Sequence, residues 1–157
     1  MIDIDEEKTV SNTRDFLEFE LPQLASLADR DVTSLSSPQL SFSCSHSAPQ
    51  SQDDLLINHW SADTALVAIH AAAHHIPAYN DEREIFINIY FCHMTEKELI
   101  NKMLISKSTL RRKKRKALIE FAVRLDTQKC NPNHNCDWLA SLVVNNNRKG
   151  ESFLDPK

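Results

Sequence analysis

Only one glycine, Gly150, stands among the 157 residues, where ordinary composition would place about 11. Phosphate-cradling loops of the Walker or dinucleotide-binding kind need several glycines, so those nucleotide-binding classes are excluded. Asn-Gly and Asp-Gly hairpin turns are missing too, which argues against an all-β meander. No apolar run reaches the ~18 residues of a membrane span. The acidic start Met1-Ile2-Asp3-Ile4-Asp5 is unlike a signal peptide. These absences leave an all-α protein of about one domain, expected in the cytoplasm and without membrane contact. Its hydrophobic fraction of 41% is slightly low, which predicts a modest core with flexible flanks.

The formal net charge of −4 conceals a segregation of sign. Residues 1–60 carry 11 acidic and 3 basic side chains, and residues 61–93 carry 4 and 1. Residues 94–129 reverse the balance, with 11 basic and 4 acidic, a net of +7. A positive segment on an acidic body is the distribution of a polyanion binder.

Helical spacing appears early, at Val10, Leu17, Leu21, Leu24 and Ala28. Pro22 interrupts it, because proline lacks an amide hydrogen and clashes with the preceding turn. The spacing predicts a helix over 10–20, a break, and a short helix over 22–29, docked on the rest of the chain. Residues 33–51 hold eight serines and two prolines, a composition that buries too little surface to offset its ordering entropy. Ser51 and Asp54 resemble a helix start. The helix they open is predicted over 52–76, with Leu56, Trp60, Leu66, Ile69, Ala73 and Ile76 inward and Pro77 as its stop. Asp81-Glu82-Arg83-Glu84 opens the next helix with acids near its positive end, and Ile85, Phe86, Ile89 and Tyr90 supply its buried stripe.

Thr95 and Glu98 have the spacing of a capping box, and Leu99 and Met103 give that helix one apolar face. After Leu104-Ile105, Ser106 can cap a second helix reaching about Asp126, with Leu110, Ala117, Leu118, Phe121, Ala122 and Leu125 inward. Two helices joined by so short a turn read as a helix-turn-helix. The second helix carries six consecutive cations, Arg111 to Lys116. The first turn of such a helix is the part that enters a DNA major groove. Lys107, Ser108, Thr109, Arg111 and Arg112 are therefore the candidates for base edges or adjacent phosphates, and Arg115 and Lys116 for phosphates behind them.

Glu98-Leu99, Met103, Ile105-Ser106, Ser108, Leu110 and Ala117-Leu118 fall where region 4 of bacterial primary sigma factors places its capping glutamate, core residues and recognition-helix start. The segment resembles that region. Further matching pieces are Lys8-Thr9, Asn12, Phe16-Leu17, Ser37-Pro38, Ser108-Thr109, Lys116-Ala117-Leu118 and Glu120-Phe121-Ala122. With these, residues 4–126 resemble the ArpU family of phage and prophage transcriptional regulators. The resemblance implies a sequence-specific regulator of late genes that binds promoter DNA as double-stranded DNA. Three positions depart from it. Leu104 stands where the turn usually has glycine, and a left-handed leucine costs about 1–2 kcal/mol, which predicts another turn shape. Lys114 takes a core-facing position and would have to snorkel. Pro22 interrupts a helix that the family pattern continues.

The predicted organisation is a helical segment 1–30, a flexible serine-rich linker 31–51, and a helical DNA-binding domain 52–126 ending in a helix-turn-helix over 95–126. A tail, 127–157, follows. The acidic N-terminal part is a candidate contact for host RNA polymerase or for a second copy in a homodimer. Two alternatives stay open: a DNA-packaging protein of the small-terminase type, and a protein-interaction module whose basic helix binds an acidic partner.

Other chemistry finds little support. Cys130, His134 and Cys136, with Cys92-His93, match no common zinc spacing, and Cys-x-x-Cys is absent. Cys44 reads as a free thiol. His70 and His74 are one turn apart, but position 71 is alanine where a His-Glu-x-x-His protease needs glutamate. No catalytic residues, no metal and no cofactor are expected, and an enzyme is not. Residues 137–144 are compatible with a short helix bearing Trp138, Leu139 and Leu142 on one side.

Overall fold

The computed structural model of the chain describes residues 3–40, 53–131, 136 and 138–146, with backbone alone for 53–60. Among these residues the fold is all-α, with one isolated antiparallel bridge between Ile4 and Asn145. Asp5 caps α1 (Glu6–Asp15) through a 3.1 Å hydrogen bond accepted from the Lys8 amide. The expected break at Pro22 does not occur. A π-helical turn, Phe16–Glu20, leads directly into α2 (Leu21–Leu27) with right-handed backbone throughout. The Leu21 amide reaches back to the Phe16 carbonyl, five residues away. This wider turn takes the ring of Pro22 past the carbonyl it would otherwise strike.

Part of the expected linker is also structured. Asp31 caps a 3₁₀ turn, Val32–Ser36, whose Val32 and Leu35 are buried, and Leu40 packs on the same core. Eight serines lowered the mean hydropathy of this stretch, but burial is decided by individual apolar side chains. Residues 41–51, Cys44 and the Ser51 cap lie outside the described residues, as do the side chains of Leu56 and Trp60. The His70 and His74 rings pack tilted against each other, with centroids 4.2 Å apart. Their Nε2 atoms donate to the Ser37 and Leu35 carbonyls at 2.7 and 2.9 Å, fastening the 3₁₀ turn to α3 (Asp53–His74).

Desolvation holds the His74 imidazole below its ordinary 6.5, against the pull of its bond to Leu35. A histidine depressed by folding keeps its stability contribution at neutral pH and loses it as pH falls through the unfolded value. Between about pH 7.5 and 5.5 the wild type should therefore lose more melting temperature than His74→Gln. Parallel profiles would remove His74 as the source.

Helix α3 is buried on several sides, with Ala62, Ala65, Leu66, Ala68, Ile69, Ala72 and Ala73 all at 1% exposure or less. Its alanines let neighbouring backbones approach, so α3 forms the centre of the bundle. Past Pro77, Arg83 donates Nε to the Ile76 carbonyl at 2.7 Å and closes the end of that segment. Helix α4 (Glu82–Phe86) runs into a second π turn, Ile87–Phe91. Phe86 then stacks on Phe121 at 4.7 Å and meets Phe91 edge-on at 5.6 Å.

Helix α5 (Glu96–Met103) starts in the expected capping box, with both reciprocal bonds present. Residues 104–106 then connect it to α6 (Lys107–Lys129), capped by Ser106. Leu104 takes the left-handed conformation after all, at φ 56° and ψ 44°. Its amide closes on the Ile100 carbonyl at 2.9 Å, and its side chain is 89% exposed. The strain is tolerated because this bond and the Ser106 cap both fix the turn. Leu104→Gly should consequently stabilise the protein by about 1 kcal/mol, since it removes a Cβ clash and forfeits almost no burial. Urea denaturation measures it, and an unchanged midpoint would mean that the turn carries no strain.

One apolar core joins α1, α2, α3 and the α4 segment to the inner face of α6, and a smaller cluster of Ile85, Leu99 and Leu110 holds α5 in place. The short helix with which residues 137–144 are compatible does not form over 139–144. Leu139 and Leu142 enter the core, and the chain clips onto the start of α1. The Asp5 amide donates to the Val144 carbonyl at 2.7 Å, and the Val144 amide donates to buried Thr9 Oγ1 at 3.0 Å. These bonds offer the tail backbone a partner that a short isolated helix lacks.

Candidate nucleic-acid interface

Helix α6 divides lengthwise into two parts. From Ala117 onward its apolar face supplies Ala117, Leu118, Phe121, Ala122 and Leu125 to the core. In the first three turns only Leu110 is fully buried, and Lys107, Ser108, Arg111, Arg112, Arg115 and Lys116 are exposed. Ser108, Arg112 and Lys116 step by four, which places them on one outward ridge. Thr109 is half-buried, and its hydroxyl accepts a 2.8 Å bond from Ser106 Oγ inside the cap. Thr109 is thus partly committed to holding the turn.

The six-cation run is not uniformly available. Lys113 Nζ lies 3.3 Å from Asp81, Lys114 Nζ 2.9 Å from Glu96, and Arg115 Nη2 3.5 Å from Glu6. Lys114 does snorkel: its ammonium passes 5.9 Å from the Tyr90 ring centroid to reach Glu96. That hydrogen bond, then the charges of Lys114, Arg111 and Lys107, hold the Glu96 carboxyl below the usual carboxylate range. On the other flank, burial raises the Glu82 carboxyl while Lys116 and Lys113 pull it back. Among the described residues, Lys107, Arg111, Arg112 and Lys116 have no carboxylate within 4 Å.

No family model, curated protein or solved structure matches the chain. All seven candidate residues lie in the first ten of α6, six of them exposed, and the carboxylates of Glu6, Glu96 and Asp81 border the flanks of that surface. The pairing carboxylates were not foreseen from the sequence, because each is 18 or more positions from its partner. Among the described residues no group of three or more His, Cys, Asp or Glu side chains could hold a metal. Cys92 and Cys130 are exposed thiols, Cys136 is buried, and His134 lies outside the described residues. No helix among the described residues is long and apolar enough to cross a membrane.

Proposed function

We propose that the protein is a sequence-specific regulator that binds double-stranded DNA through the first turns of α6. The observation that carries this reading is the exposed ridge Ser108, Arg112 and Lys116, with Lys107 and Arg111 beside it, both without a carboxylate partner among the described residues, on the second of two capped helices joined by three residues. Lys107, Ser108, Arg111 and Arg112 stand where base edges and the nearest phosphates come within reach, and Lys116 and Arg115 where the strand continues. Cations without carboxylate partners release DNA counterions on binding without first breaking an ion pair. The resemblance to the ArpU family supports promoters of phage or prophage late genes as the target class, with host RNA polymerase and a second copy as the proposed partners.

A salt titration on duplex DNA tests the reading. The four cations at the start of α6 with no carboxylate within 4 Å among the described residues predict a log–log slope of about −3.6, at about 0.9 per neutralised phosphate. Affinity that is indifferent to salt, or equal for duplex DNA and an acidic peptide, would sink it.

A further inference from the structure

A second positive surface lies on the flank of α6 that faces α1. A cleft of about 320 Å³ opens there. Its apolar lining is Val10 of α1 and Leu118 of α6, both buried. Around them stand Arg14, one turn beyond Val10, and Arg111, Lys114 and Arg115, spaced three and four apart along one side of α6. Glu96 is the carboxylate of the lining, and Lys114 occupies it at 2.9 Å. Glu6 meets Arg115 at 3.5 Å, but both side chains are largely solvated, at 60% and 43% exposure. Such a pair is weak and is readily exchanged for a better anion. Arg14 and Arg111 have no carboxylate within 4 Å among the described residues. The cleft therefore combines excess positive charge with guanidinium groups contributed by two different helices. Guanidinium forks match the tetrahedral oxygens of phosphate, and the apolar lining reduces the water that would screen them.

We propose that this cleft seats a phosphoryl group, with Arg14, Arg111 and Arg115 as its hydrogen-bond donors and Lys114, braced by Glu96, as its fixed wall. Arg14 is the new element, since it brings the acidic N-terminal helix into the anion-binding surface. The phosphoryl group has two sources: a strand phosphate of DNA lying along the ridge, or a phosphate compound free in solution. The first source rests on the DNA-binding reading, and the second does not.

Inorganic pyrophosphate titrated into the full chain, followed by the arginine Nε–Hε resonances, probes the cleft directly. The Arg14 and Arg111 signals should shift together, and Arg14→Ala should weaken binding about fivefold or more. Arg14 is exposed, so the variant should keep the wild-type melting curve. Glu6→Gln should tighten pyrophosphate binding by freeing Arg115. If a strand phosphate is the source, Arg14 adds a fifth contact to the four cations of α6, and Arg14→Ala should lower the salt slope on duplex DNA by about one. A loss confined to pyrophosphate would support the cleft and assign it to a free phosphate compound. Loss in both assays would support the strand phosphate. Pyrophosphate that moves neither arginine, with Arg14→Ala silent on DNA, overturns the proposal even where wild-type DNA binding is intact. Wild-type protein with no salt-dependent DNA affinity would instead count against the DNA reading, and the pyrophosphate result would still decide the cleft.

Discussion

Phe121→Ala is expected to cost about 3–5 kcal/mol of folding stability, the usual range for truncating a fully buried phenylalanine. Phe121 is 0% exposed and joins three parts of the fold, stacking on Phe86 at 4.7 Å and tilting against Phe16 at 6.5 Å. The void would open where α6, the α4 segment and the first π turn converge, so no single helix can shift to fill it. For a chain of this length that loss corresponds to a fall in melting temperature of about 10 °C. Val123→Ala, two positions on and 37% exposed, should change stability by less than about 0.5 kcal/mol. Equal effects at the two positions would mean that the aromatic cluster is not the centre of the core.

The double substitution Arg111→Ala with Arg112→Ala should weaken duplex binding about 100-fold at low salt and lower the salt slope by about two. The two guanidinium groups point to different sides of α6, one to the cleft and one to the outward ridge. Neither has a carboxylate within 4 Å among the described residues, so their loss leaves no orphaned acid to confuse the result. Circular dichroism should show an unchanged fold. Unchanged affinity and slope would withdraw α6 as the recognition helix.

Much of this architecture was legible because it is local. The Thr95–Glu98 capping box, the Ser106 cap and the inner face of α6 all follow from spacings of three and four along the chain. The failures share a cause: they depend on partners distant in sequence. Pro22 reads as a helix breaker until the π turn before it is seen, and Leu35 reads as linker until its side chain enters the core and its carbonyl meets His74 of α3. Leu104 was expected to avoid the left-handed region, yet Asp29, Asp81 and His93 take the same backbone sign at other turns. A chain with so little glycine places other residues where glycine is usual, and Leu104 is the most strained of the four. The acidic N-terminal helix was foreseen as docked, but its role beside the basic surface was not. Removing residues 1–50 would strip Val10, Phe16, Leu17, Leu21 and Leu24 from the core, so substitution of single acids is the sounder probe of that segment.

Helix α6 is one continuous rod whose far half is locked into the core while its near half projects charge. Tilting the rod would disturb the packing around Phe121 at one end and around Leu110 at the other. The backbone of α6 is already ordered, so the ordering cost of the proposed association would fall on its exposed Lys and Arg side chains. On the proposed DNA-binding reading, a mismatch in shape would fall on the DNA, and sites that bend or narrow at low cost would be preferred.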